Sequence, residues 1–141
     1  MSSEQLNLSL DRWPVPLPNG DYDRETAHRR AFEQRCVGGR VCVELWVLEV
    51  VPDLYIQACA VTLGEVARVT PLRLTPRNRH DTPEAALRAA AWKAARDLKL
   101  NRKASGLWPA CQGTLLRAEN WLDDVLKQCD YLLERQTKLF E

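Results

Sequence analysis

Apolar and polar residues alternate most regularly between Arg40 and Thr62. Val41, Val43, Leu45 and Val47 fall on one side of an extended chain, and Cys42, Glu44, Trp46 and Leu48 on the other. That period of two predicts a strand over Arg40–Val51, covered on one face and half covered on the second. After the turn at Pro52-Asp53 the pattern resumes over Leu54–Thr62, with Leu54, Ile56, Ala58 and Ala60 opposite Tyr55, Gln57, Cys59 and Val61. Two such runs joined so closely predict an antiparallel hairpin. Leu63-Gly64-Glu65 is the next turn, and Val66–Thr75 reads as a third strand. Pro71 removes a ladder donor within it, so this strand is expected at an edge or with a bulge.

Two further segments carry the 3.6-residue period. Asp81-Thr82-Pro83-Glu84 offers a capping oxygen, a proline for the first helical position and an acid near the positive helix end. The helix that follows is expected to reach about Leu100, with Leu87, Ala91, Ala94 and Leu98 aligned and Ala90 and Ala95 beside them. So much alanine lets a helix backbone lie close against a sheet. Asn101–Pro109 reads as a loop. From about Gln112 to Phe140 a long helix carries Ala118, Leu122, Val125, Leu126, Cys129, Leu132 and Leu133 on one stripe. That stripe is broad enough to pack on the domain or to form a homodimer seam through residues 112–140. Asp23–Cys36 predicts a short charged helix with only Ala27, Ala31 and Phe32 apolar, ended by Gly38-Gly39.

Ahead of these elements, Pro14, Pro16, Pro18 and Asn19-Gly20 predict an extended arm over residues 1–22, which Trp13 would tether to the body. The rest, 23–141, is expected to form a single α+β domain: a three-stranded antiparallel sheet, helices packed on one face, and the long C-terminal helix. No run approaches the apolar length that spans a bilayer, and the first ten residues have neither a basic nor an apolar leader region. Together these point to a cytoplasmic protein with no membrane role. The five cysteines, at 36, 42, 59, 111 and 129, are odd in number and form no CxxC. They therefore read as buried structural thiols rather than a disulfide framework or metal site, although Cys36 and Cys42 could approach each other across the Gly38-Gly39 turn.

Charge changes this ordinary picture. The chain has a net charge of +1, but residues 1–67 have 6 basic against 10 acidic side chains, residues 68–103 have 10 against 3, and residues 104–141 have 4 against 6. The middle segment is therefore strongly basic and its flanks are acidic. It contains Arg68, Arg73, Arg77, Arg79 and His80, followed by Arg88, Trp92, Arg96, Lys99 and Lys103, which share about 80° of the helix circumference opposite the alanine face. Cations interleaved with an indole suit a phosphate backbone with a stacked base, and equally an acidic protein surface. The bland reading assigns the last cations to the helix dipole and places Trp92 beneath the C-terminal helix near Trp108 or Trp121. Arg73, Arg77, Arg79, Arg88, Trp92, Arg96, Lys99 and Lys103 are thus the candidate binding surface.

Enzymatic signatures are missing. There is no phosphate-binding glycine loop, HExxH or nucleophile elbow; Asp123-Asp124 point about 100° apart on a helix; His28 and His80 have no forced partner. No catalytic residue, metal or cofactor is expected.

The order helix, three strands, helix over Asp23–Leu100, together with TPEAALRAAAWKAARDL at Thr82–Leu98, resembles the double-stranded-RNA-binding domain. The resemblance implies a three-stranded sheet with both helices on one face and recognition of an A-form duplex by shape. The family's paired-lysine motif is absent: Pro83, Glu84 and Ala85 stand in its place, and no contact residue carries over. The expected function is a small non-enzymatic protein that binds another macromolecule, as regulators, inhibitors or adaptors of mobile genetic elements do. The alternative is a nucleic-acid-binding protein that uses the basic strand and helix surface.

Overall fold

The computed structural model describes residues 13–37, 39–101 and 111–139, with side chains described through residue 136. Residues 1–12, most of the expected 101–109 loop, Lys103, Trp108 and the last two residues lie outside these. The order is β1 (His28–Cys36), β2 (Gly39–Val51), β3 (Leu54–Leu63), β4 (Val66–Val69), α1 (Pro83–Asn101) and α2 (Gln112–Leu139), with a short 3-10 turn at Arg24–Thr26. The fold is α+β, with a sheet of four antiparallel strands in the order β1-β2-β3-β4 rather than three.

The additional strand is β1, where a charged helix was expected. Paired with β2 from His28↔Val47 to Cys36↔Gly39, its few apolar groups become useful. Phe32 meets Trp121 of α2 with ring centroids 6.3 Å apart. On the opposite face the charges pair across the strands, Arg29 with Glu44 at 2.9 Å and Glu33 with Arg40 at 2.7 Å. Local helix propensity here is weak beside nine residues of ladder and these cross-strand contacts. The α-β-β-β-α order is therefore replaced over this stretch by β-β-β-β-α.

The β2–β3 alternation divides the core as its pattern requires. Val41, Val43 and Leu45 of β2 and Cys59, Val61 and Leu63 of β3 face both helices. Against them α1 places Ala90, Ala91, Ala94 and Leu98, and α2 places Leu115, Ala118, Leu122, Val125 and Cys129. The α2 stripe is therefore occupied within the domain as far as Cys129. The second face, with Trp46, Leu48, Ile56 and Ala58, is covered by Tyr22, Ala27 and Leu72. Arg24 lies 4.8 Å over the Trp46 ring and donates to the Thr70 carbonyl at 2.5 Å. Half-buried Trp13 lines a cleft with His28, Val47 and Tyr55, and Tyr22 N–H donates to Leu72 O at 2.7 Å. From Trp13 onward the proline arm is thus laid against the body.

The strand expected over Val66–Thr75 is short. β4 pairs only with residues 60–63 of β3, and Pro71 lies beyond it. Side chains and a later segment complete the edge instead. Thr70 Oγ1 accepts from Cys59 N at 2.9 Å, and Asn78 accepts from Gln57 N at 3.0 Å while donating to Gln57 O at 2.9 Å. His80 exchanges both main-chain bonds with Tyr55, at 2.8 and 2.9 Å. Every second residue of β3 is thereby satisfied without a long partner strand.

The cysteines also differ from expectation. Cys36 forms a disulfide with Cys111, across 75 residues of sequence and a Cα–Cα distance of 5.9 Å. Cys42 cannot meet Cys36, because it stands opposite Glu33 on the other face of the sheet. Cys42, Cys59 and Cys129 are free and buried.

Candidate functional site

Helix α1 starts as its sequence indicates: Thr82 Oγ1 accepts from Ala85 N at 3.1 Å and Thr82 O from Ala86 N at 3.2 Å. This cap sets where the helix begins. With Ala86, Ala90, Ala91 and Ala94 fully buried against the body, the opposite side must face outward. There Trp92 is 62% exposed, not tucked beneath α2, and the aromatic role in that interface falls to Trp121. The Arg96 guanidinium sits 6.0 Å from the centroid of the Trp92 indole, close enough for a cation–π contact.

Arg88, Trp92 and Arg96 line one open groove of about 640 Å³ together with His80, Lys93 and two alanines. The structure thus brings together three of the expected residues and adds two. Lys93 was missed because it lies off the helical stripe, about 140° from Arg88 at 100° per residue. It belongs to the site because the segment after β4 passes beside it, and no periodicity in the helix reports that.

The other expected residues divide. Arg73 is held by Asp21 at 2.6 Å, and its Nη2 donates to Asn19 O at 2.8 Å, so the arm offsets part of its charge. Arg88 pairs with Asp130 at 2.9 Å, but both side chains are more than half exposed. A pair in that setting contributes about 0–1 kcal/mol and exchanges readily for a stronger anion. Arg77, Arg79, Arg96 and Lys99 are exposed and, like Lys93, have no ion-pair partner among the described residues. Lys99 stands further along α1 and does not line the groove, and Lys103 lies outside the described residues. Arg77 and Lys93 line a second hollow, taken up below.

His80 forms one wall of the groove, and its Nε2 is buried without a hydrogen-bond partner among the described residues. Burial lowers its pKa, against a smaller opposing pull from Asp81. As pH falls through the usual imidazole value near 6.5, the unfolded chain takes up a proton that the folded chain resists. The fold should therefore be most stable above about pH 6.5 and weaken below it. His80→Gln retains the backbone pairing with Tyr55 and should flatten this dependence. Urea midpoints at about pH 7.5 and 5.5 test it: an identical loss in both proteins would mean that another group is responsible.

The free thiols are poor nucleophiles. Burial, then Glu44, pushes Cys42 up to about 11, and burial also raises Cys59 and Cys129. Among the described residues no three His, Cys, Asp or Glu side chains form a group that could hold a metal, and no helix is long and apolar enough to cross a membrane. No family model, curated protein or solved structure matches this chain.

Proposed function

We propose that this chain is a non-enzymatic binding protein that engages a single-stranded nucleic acid through the outward side of α1. One observation carries the reading: an indole 62% exposed, with the Arg96 guanidinium over its ring, shares a groove with Lys93, which like Arg96 has no ion-pair partner among the described residues, and with the exposed, paired Arg88. The core does not need Trp92, and leaving so large an apolar group in water has a cost. An unpaired base stacks on such a ring, while Lys93, Arg96 and the exchangeable Arg88 meet the phosphates. A duplex hides its base faces and would leave the indole unused. An acidic protein would use the cations, but it has no particular need of a ring bordered by a groove.

Fluorescence anisotropy with labelled single-stranded RNA and DNA and with both duplexes, at about 50 and 200 mM salt, tests the reading. Single strands should bind more tightly than duplexes, with affinity falling steeply as salt rises. Trp92→Ala should weaken binding by about 5–150-fold, corresponding to about 1–3 kcal/mol for one stacked base, and leave thermal stability unchanged. No binding at the lower salt, or a variant that binds as tightly as the parent, would exclude this surface as a nucleic-acid site. In the first case an acidic protein becomes the partner to seek.

A further inference from the structure

Beside the groove lies a smaller hollow of about 180 Å³, whose walls include Arg73, Arg77, Lys93, Thr75, Asn78 and Gln57. We infer that it seats one phosphodiester of the bound strand, next to the base stacked on Trp92. The inference rests on the nucleic-acid reading and adds a second contact point to it. Lys93 lines both cavities, so the groove with the stacking ring and the proposed phosphate seat share one cationic residue.

Three positive side chains border this hollow, and only Arg73 has an acidic partner among the described residues. That partner also serves the site. Asp21 and the Asn19 carbonyl engage Nε and Nη2 of Arg73, which fixes the guanidinium and leaves its Nη1 without a partner among the described residues. The loop carrying Arg77 is held before any ligand arrives. Asn78 N–H donates to Thr75 O at 3.1 Å, and the Asn78 side chain ties the loop to Gln57 and to Arg73 O at 2.9 Å. Like charges brought together on a fixed frame repel, and a bound anion relieves that repulsion. At about 30 Å³ per water the volume holds about six waters, enough for a phosphate and part of its sugar. Gln57 lines the same hollow, and its Oε1 is buried with no hydrogen-bond partner among the described residues.

Arg77 belongs to the hollow and not to the groove, whereas Trp92 belongs to the groove alone, so their variants separate the two ideas. In the anisotropy titration, Arg77→Ala should bind single strands about tenfold more weakly. Its log–log salt slope should be shallower by about 0.7, the loss of one phosphate contact. Trp92→Ala should weaken binding with the slope unchanged, and Arg77→Lys should restore most of the slope. An Arg77→Ala protein with parental affinity and slope, alongside a weakened Trp92→Ala, would overturn the phosphate seat and leave the stacking surface standing. If neither variant alters binding, both readings fall. Arg77 is exposed, so its removal should leave the melting curve in place, and that curve is the control.

Discussion

Breaking the bond between Cys36 and Cys111 should lower the stability of the fold by about 3–5 kcal/mol. The link spans 75 residues of sequence. It ties the end of β1 to the residue before α2, so it closes a loop containing most of the sheet and all of α1. An unfolded chain released from a loop that long gains considerable entropy. A domain of this size is stable by about 5–15 kcal/mol in total, so the loss would be a large share. Urea unfolding of the parent with and without dithiothreitol, compared with Cys36→Ser/Cys111→Ser, gives the measurement. The midpoint should fall on reduction, and the double variant should match the reduced parent and ignore the reductant. The other three cysteines are buried and should contribute nothing to the difference. A parent indifferent to reductant would show that the bond does not hold the fold. The same result bears on location: the expectation of a reducing cytoplasm and a structure stapled in this way pull in opposite directions.

Asn78→Ala should be a strongly destabilising change at the outer edge of β3. One carboxamide accepts from Gln57 N, donates to Gln57 O and donates to Arg73 O. Alanine removes all three bonds and leaves the main-chain N–H and C=O of Gln57 without those partners on the outer edge of β3, a loss of about 2–4 kcal/mol. Asn78→Asp should not rescue it, because a carboxylate accepts but cannot donate. Thermal melting would show the loss. Hydrogen exchange at the Gln57 amide should rise well beyond the global change, because this is the bond that is removed. A variant melting with the parent would mean that water replaces the side chain at little cost. Strand binding should weaken too, since the loop held by Asn78 carries Arg77.

Where packing follows local periodicity, the fold could be read in the sequence. The β2–β3 hairpin, the Thr82 cap, the alanine face of α1 and the α2 stripe all depend on repeats of two or 3.6 residues. What could not be read depends on partners far along the chain. β1 looks like a charged helix until Glu44 and Arg40 stand opposite its own charges and Trp121 meets Phe32. Cysteine spacing carries no information about a bond across 75 residues. The candidate surface divides in the same way. Arg88, Trp92 and Arg96 are neighbours by helical geometry and could be predicted. The meeting of Lys93 with Arg77 depends on the path of the 70–80 segment, which is set by the Thr70 and Asn78 side chains. The attachment of Arg73 to Asp21 likewise required knowing where the arm lies.

The side-chain caps along β3 have a consequence for how another polypeptide can approach. Many peptide ligands dock by adding a strand to a free sheet edge, matching main-chain donors and acceptors in sequence. Here Tyr55, Gln57 and Cys59 have already committed theirs to His80, Asn78 and Thr70. On that flank β4 alone continues the sheet, over four residues, a short template for a foreign strand. Exchange of edge strands between copies of the chain is discouraged for the same reason. Recognition on this flank is left to side chains, among them the exposed Arg68, Arg77 and Arg79.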